Sequence, residues 1–226
     1  MKTLGLLVLT VFIAFPGLNI EVGELRGNHC RRIEITVAGT SYEGIIDSAN
    51  GFVVFPRSDI DVYEGDAYQG SALSYYGEKD TGVYWIYSDQ ERRYAFYDIQ
   101  SGFFSEFLFH HTQDFIFYDE NTDYLRVTED GRRYYYINRR NGLRLSPLYF
   151  SSMNLDGMYK GYAVEPLYDS ETYVILNDQG QLYRIAPDLT PIDRIIENDI
   201  LLTKNKEGTV IELTIDDSLD WEDSSL

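Results

Sequence analysis

The segment that follows residue 118 carries the alternating oxygen ligands of a calcium-binding loop. Asp119, Asn121 and Asp123 alternate along the chain, and Asp130 is the twelfth residue counted from Asp119. Calcium loops of this type use a glycine for the sharp turn at their sixth position, where this chain has Tyr124. The pattern therefore predicts either a calcium site formed by Asp119, Asn121, Asp123 and Asp130 or a polar hairpin tip. No other cofactor is predicted.

The remaining reactive side chains are isolated in the sequence. His110 and His111 are adjacent, and neighbouring side chains of an extended chain point to opposite faces, so the two imidazoles do not readily share a metal ion. Cys30 is the only cysteine, so an intramolecular disulfide is excluded and the role of the thiol stays open. The 37 Asp and Glu residues offer many acids and bases, but nothing in the sequence selects a pair. We predict no catalytic residue.

The chain is acidic overall, and its C-terminal residues do not account for all of the negative charge. Its net charge is -18, and five acids fall within the last eleven residues, which leaves -13 for the rest. A field of this sign repels phosphate backbones and anionic lipid. The charge therefore excludes nucleic acid as a partner, whereas a protein or a glycan partner stays open. We interpret residues 216–226 as an acidic flexible tail.

The N-terminus has the pattern of a secretory leader. Lys2 precedes an apolar run over residues 4–15, which ends at Pro16 and Gly17. This run is too short to span a bilayer, so no transmembrane span is predicted. We interpret residues 1–20 as a leader and expect export to the periplasm, the cell surface or the medium. The alternative is a cytoplasmic protein in which the run forms a buried first strand.

Internal repetition is the strongest pattern in the chain. Residues 41–98 match residues 132–188. The offset between the two copies is 91 residues in the first part of the match and 89 residues after a two-residue deletion. Asp47 and Gly51, for example, correspond to Asn138 and Gly142. We predict an internal duplication within a single repeat-built domain over residues 21–215.

A shorter motif recurs within each copy. A hydrophobic strand ends in Asp or Asn, and a polar turn leads to glycine and a second strand. Glycine after Asn or Asp suits a hairpin turn because it adopts positive φ without steric cost. The predicted turn glycines are Gly51, Gly102, Gly142, Gly180 and Gly208.

These motifs resemble the WG or KWG repeats of bacterial proteins. Gly44 to Asp47, Gly51 to Pro56 and Gly70 to Leu73 follow the order of a WG unit, and so do Tyr136 to Asn138, Gly142 to Tyr149 and Gly161 to Val164. The Trp-Gly dipeptide that names the family is absent. The resemblance covers residues 40–186 and implies a repeat array with an extended surface.

Alternation of apolar and polar residues between turn signals predicts a series of short strands. The predicted strands cover residues 83–88, 92–98, 103–109, 114–118, 124–128, 132–138, 161–167, 172–176, 182–185, 192–196, 200–203 and 209–214. Their spacing indicates an all-β fold, an antiparallel meander of repeated hairpins in a propeller-like or solenoid-like repeat array.

Two classes of function are compatible with these patterns. The first is a non-catalytic binding or scaffold module of the bacterial cell envelope or exported fraction, because a repeat array offers surface and no catalytic motif is present. The alternative is a carboxylate-based propeller-type hydrolase acting on carbohydrate, because acid and base candidates are abundant.

Overall fold

The structure is a computed structural model that describes residues 18–22, 30–47, 52–58, 60–64, 83–98, 100–110, 123–151, 158–193, 196–216 and 218–223. These residues form strands and turns but no helix, and every strand pairing is antiparallel. The predicted all-β fold of repeated antiparallel hairpins is therefore confirmed. In this described part no helix is long and apolar enough to cross a membrane. The chain divides into two compact units, Met1–Phe107 and Leu108–Leu226.

The described residues of the first unit form two four-stranded sheets, in which each strand pairs with the next along the chain. The first sheet is formed by β1 (Leu18–Val22), β2 (Cys30–Val37), β3 (Thr40–Asp47) and β4 (Phe52–Arg57). The second is formed by β5 (Ile60–Glu64), β6 (Val83–Ser88), β7 (Arg93–Asp98) and β8 (Phe103–Phe104).

Aromatic residues fill the core of the first unit. Trp85 and Phe96 are buried on paired strands with ring centroids 5.5 Å apart, and Phe103 lies 5.7 Å from Phe96. The buried hydroxyl of Tyr97 donates a hydrogen bond to Asp47, which joins β7 to the end of β3. The strand-final Asp of the repeat motif thus holds the two sheets of this unit together.

The described residues of the second unit form three sheets. A hairpin is formed by β9 (Tyr124–Thr128) and β10 (Tyr134–Asn138). A four-stranded sheet contains β11 (Tyr162–Pro166), β12 (Tyr173–Asn177), β13 (Gln181–Arg184) and β17 (Glu222–Asp223), in that order. A three-stranded sheet contains β14 (Leu189–Pro191), β15 (Ile200–Asn205) and β16 (Val210–Thr214).

The four-stranded sheet of the second unit is buried on both faces. Successive side chains of a strand point to opposite faces of the sheet, and on β12 both sets are buried. Val174 and Leu176 of β12 pack with Tyr136 and Phe150 in one cluster. Ile175, which lies between them, packs in a second cluster with Leu201 of β15 and further apolar residues. This sheet therefore forms the middle layer of the unit.

The backbone conformation of the hairpin turns explains why the repeated motif places Asp or Asn before glycine. Positive φ values between 71° and 86° occur at four of the predicted turn glycines, namely Gly102, Gly142, Gly180 and Gly208. The amide of Gly142 donates to the carbonyl of Asn138 at 2.7 Å, while the side-chain oxygen of Asn138 accepts from the amide of Arg140. The strand-final Asn therefore caps the turn that glycine completes. Gly51 lies outside the described residues.

Candidate functional site

Asp130, the last residue of the predicted calcium segment, is bonded to backbone and arginine. Its Oδ1 accepts from the amides of Arg132 at 2.9 Å and Arg133 at 2.8 Å, and its Oδ2 accepts from Nε of Arg133 at 2.6 Å. Slight burial raises the pKa of Asp130, but these hydrogen bonds and the positive charge of Arg133 outweigh it and hold the pKa well below its usual range. The carboxylate therefore closes the turn between β9 and β10.

Of the other predicted calcium ligands, only Asp123 is among the residues that the structure describes. Asp123 forms an ion pair of 2.7 Å with Arg140, while Asp119 and Asn121 lie outside the described residues. Within the part of the chain that the structure describes, no group of three or more His, Cys, Asp or Glu side chains could hold a metal ion. The calcium site remains a prediction from the sequence.

A buried ion pair connects two sheets of the second unit. Nε of Arg126 on β9 donates to Glu165 on β11 at 2.8 Å, and a second guanidinium nitrogen donates to the other carboxylate oxygen at 3.3 Å. The side chains of Arg126 and Glu165 are 3% and 0% exposed. The hydroxyl of Tyr136 donates to Glu165 at 2.7 Å, the guanidinium also donates to the carbonyl of Ser151, and its carbon lies 4.1 Å from the ring centre of Tyr134.

The chemistry available to Glu165 follows from this burial. A charged pair inside a protein requires partners for both ions, and removal of one partner leaves the other charge buried and uncompensated. Glu165 has two such partners in Arg126 and Tyr136, and solvent does not reach it. The carboxylate consequently fixes β11 against β9 and β10.

The consecutive tyrosines of β10 are core residues. Tyr134, Tyr135 and Tyr136 are all buried, so none of them offers an exposed ring face for a sugar. Burial raises the pKa of Tyr135, and the hydrogen bond that its hydroxyl donates to Glu129 raises it further. These three tyrosines therefore have a structural role.

Arginine covers the outer tyrosine ring of this hairpin. The guanidinium carbon of Arg144 lies 4.4 Å from the ring centre of Tyr135 and 4.2 Å from that of Tyr149. The same guanidinium donates hydrogen bonds to the carbonyls of Ser146, Pro147 and Leu148. Arg144 thus binds the connecting loop to the hairpin through cation–π contacts and hydrogen bonds.

A second aromatic cluster lies where the C-terminal segment meets β13. The ring of Trp221 stacks on Tyr162 with centroids 6.2 Å apart and planes inclined by 25°, and it meets Tyr183 edge-on at 6.3 Å. Nε of Arg184 donates to the two carboxylate oxygens of Glu222 at 3.2 Å and 3.1 Å. The segment interpreted from sequence as a flexible tail thus forms strand β17 over Glu222–Asp223 and pairs with β13.

The sequence patterns did not single out Arg126, Glu165 or Trp221. A charged residue inside the strand Tyr162–Pro166, where both neighbours are apolar, was the available signal for Glu165. Its partner lies 39 residues earlier, and nothing local joins the two. Trp221 stands among acidic residues, so composition favoured a tail over a strand.

Comparison with known proteins gives structural similarities of low score. No family model matches the chain, and no curated protein matches it. A crystal structure of the computationally designed Ika8 protein has a TM-score of 0.33 at 14% sequence identity, covering 86% of this chain and 71% of that one. The crystal structure of BamB from Moraxella catarrhalis has a TM-score of 0.31 at 15% identity, covering 86% of this chain and 57% of that one.

Proposed function

We propose that this chain is a non-catalytic binding or scaffold module, similar to the WG-repeat proteins and exported to the cell envelope or the medium. The observation that supports the proposal most is the bonding of the buried carboxylates. Among the described residues these are Asp47, Asp98 and Glu165, and all three are at most 1% exposed. A glycoside hydrolase needs two carboxyl groups that reach the sugar from opposite sides of the scissile bond. Carboxylates shielded to this degree cannot do so.

Each buried carboxylate also has a structural partner. Asp47 accepts from Tyr97, and Glu165 accepts from Arg126 and Tyr136. Asp98 accepts from the hydroxyl and the amide of Ser101 at 2.7 Å and 3.2 Å, which caps the turn after β7. These bonds join sheets or close turns. These three buried acids therefore act as parts of the scaffold.

The test identifies the ligand and then changes exposed carboxylates. Protein purified from its native source is analysed by mass spectrometry for co-purified molecules, and the candidates are tested on glycan and protein arrays. We expect a protein or glycan ligand whose binding survives the single changes Asp123→Asn and Asp130→Asn. A co-purified glycoside that the protein hydrolyses, with turnover abolished by one carboxylate-to-amide change, would show the alternative function.

Calcium is tested in the same material. If calcium raises the melting temperature and the triple change Asp119→Asn, Asp123→Asn and Asp130→Asn removes that rise, the segment is a metal site. If calcium does not shift melting, the hydrogen bonds of Asp130 account for its role.

A further inference from the structure

The C-terminal residues form a small structure of their own on the edge of the middle sheet. We define Asp216 and residues 218–223 as the C-terminal clasp. Its turn is closed by hydrogen bonds from the amide of Ser218 to Oδ1 of Asp216 and from the indole nitrogen of Trp221 to the carbonyl of Asp216. The turn holds the indole ring against the sheet before the chain continues into β17.

The clasp covers an edge that the sheet otherwise leaves open. The order of this sheet is β11, β12, β13 and β17, so β13 would be its last strand without the clasp. Only Gln181 and Leu182 of β13 pair with the clasp, opposite Asp223 and Glu222. A strand edge with unpaired backbone groups is a template for a further strand.

We propose that the edge of β13 is a peptide-binding site and that the clasp is the ligand that fills it in cis. The site takes an extended segment of another protein in which a tryptophan is followed by two acidic residues. This inference rests on the proposed binding function and names the class of partner.

The contacts of the clasp define what the site recognises. Tyr162 and Tyr183 receive an indole ring from two directions, which favours tryptophan over a smaller side chain. Arg184 receives a carboxylate one residue later through Nε, which favours Glu or Asp at that position. Two residues of strand pairing then fix the direction of the peptide as antiparallel to β13. The site therefore specifies an aromatic ring, a negative charge and a strand register together.

The ion pair that holds strand β17 lies at the surface, which favours exchange of the clasp. Arg184 and Glu222 are about half exposed, and exposed ion pairs add little to stability. The chain just before the clasp is held independently, because Ile215 is buried and its amide donates to the carbonyl of Asp199 at 2.7 Å. Release of the clasp therefore leaves β16 in place, but it removes Leu219 and Trp221 from the apolar cluster that contains Ile215, so a partner must supply equivalent apolar side chains. The short tether from Ile215 gives the clasp an effective concentration in the millimolar range, which a partner must overcome.

The experiment measures binding of a fluorescein-labelled peptide with the sequence of residues 216–226 to the full chain. In one variant, Trp221→Ala with Glu222→Ala weakens the clasp of the protein itself. We expect the peptide to bind this variant at least tenfold more tightly than the unchanged chain, because the competing segment is weakened. A peptide with Trp221→Ala should bind neither protein. Far-UV circular dichroism confirms that the variant is folded.

A charge exchange tests the register. Arg184→Glu in the weakened-clasp variant should reduce peptide binding at least fivefold, and a peptide with Glu222→Lys should restore it. Glu212→Ala, which removes one exposed acid from β16, is the matched control and should leave peptide binding unchanged. Equal binding of the tryptophan and alanine peptides, or no effect of Arg184→Glu, would overturn the proposal. If the β13 site fails this test but a ligand binds elsewhere on the chain, the proposed binding function is retained. Turnover that depends on a carboxylate would contradict the proposed binding function itself.

Discussion

Arg92 occupies a turn position that glycine occupies in the corresponding hairpins. Its amide donates to the carbonyl of Ser88 at 2.7 Å, just as the amide of Gly142 donates to Asn138 at 2.7 Å. The φ values of the two residues are 52° and 71°. A side chain with a Cβ atom is strained in this left-handed conformation, and glycine is not.

We therefore expect Arg92→Gly to raise the free energy of unfolding by about 0.5–1 kcal/mol. Arg92→Ala is the matched control, since it removes the long side chain but keeps Cβ, and it should give no such gain. Gly142→Ala should lower stability by about 1 kcal/mol for the same reason. Urea unfolding followed by circular dichroism measures all three. A loss of stability in Arg92→Gly would show that the arginine side chain, and not the backbone, determines this turn.

The hydrogen bonds of Asp130 make stability depend on pH. Its pKa in the folded protein lies well below the value of about 3.9 that an unfolded chain has. These hydrogen bonds and the charge of Arg133 therefore stabilise the fold fully above about pH 5, and their contribution is lost progressively as the pH falls from about 4 toward the lower pKa of the folded state. Because both side chains are exposed to solvent, we expect the effect on stability to be small.

Asp130→Asn keeps an oxygen for the amides of Arg132 and Arg133 but removes the charge. Urea unfolding should show this variant less stable than the unchanged chain at pH 7, with a smaller difference at pH 3. In a background with Arg133→Gln the difference at pH 7 should also shrink, because the partner charge is gone. A difference that is constant between pH 7 and pH 3 would contradict the assignment.

At the scale of elements, strands with strong local signals could be predicted from sequence. The predicted strands 83–88 and 124–128 coincide with β6 and β9, since alternating apolar residues are bounded there by polar turns. The predicted strand 192–196 is wrong in its described part, because residues 192, 193 and 196 lie outside the observed strands. The observed β14 is Leu189–Pro191, and it pairs with the end of β15. A proline is compatible with this position because β14 is an edge strand.

Pairings between distant segments could not be predicted in this way. The offset of the duplication places the counterpart of β11 at residues 71–75, which lie outside the described residues. The observed partner of β6 is instead the strand Ile60–Glu64. Local turns follow from two or three neighbouring residues. The ion pair of Arg126 and Glu165 and the stacking of Trp221 on Tyr162 depend on tertiary packing, which no local pattern contains.

At the scale of the whole molecule, the sequence predicts one domain over residues 21–215, and the contacts divide the chain at residue 107. The two tryptophans distinguish these descriptions experimentally, because Trp85 belongs to the first unit and Trp221 to the second. In a Trp221→Phe variant, the fluorescence of buried Trp85 reports the first unit alone.

We expect the two units to unfold as separate cooperative transitions. Leu176 is fully buried in the second unit, so Leu176→Ala should cost that unit about 2–5 kcal/mol. In the Trp221→Phe background this change should lower the second-unit transition seen by circular dichroism and leave the urea midpoint of Trp85 fluorescence unchanged. The matched change in the first unit, Phe96→Ala, should lower the Trp85 midpoint. If Leu176→Ala lowers the Trp85 midpoint as well, the chain folds as the single domain that its sequence predicts, since cooperative unfolding of one domain transmits a core defect to every reporter.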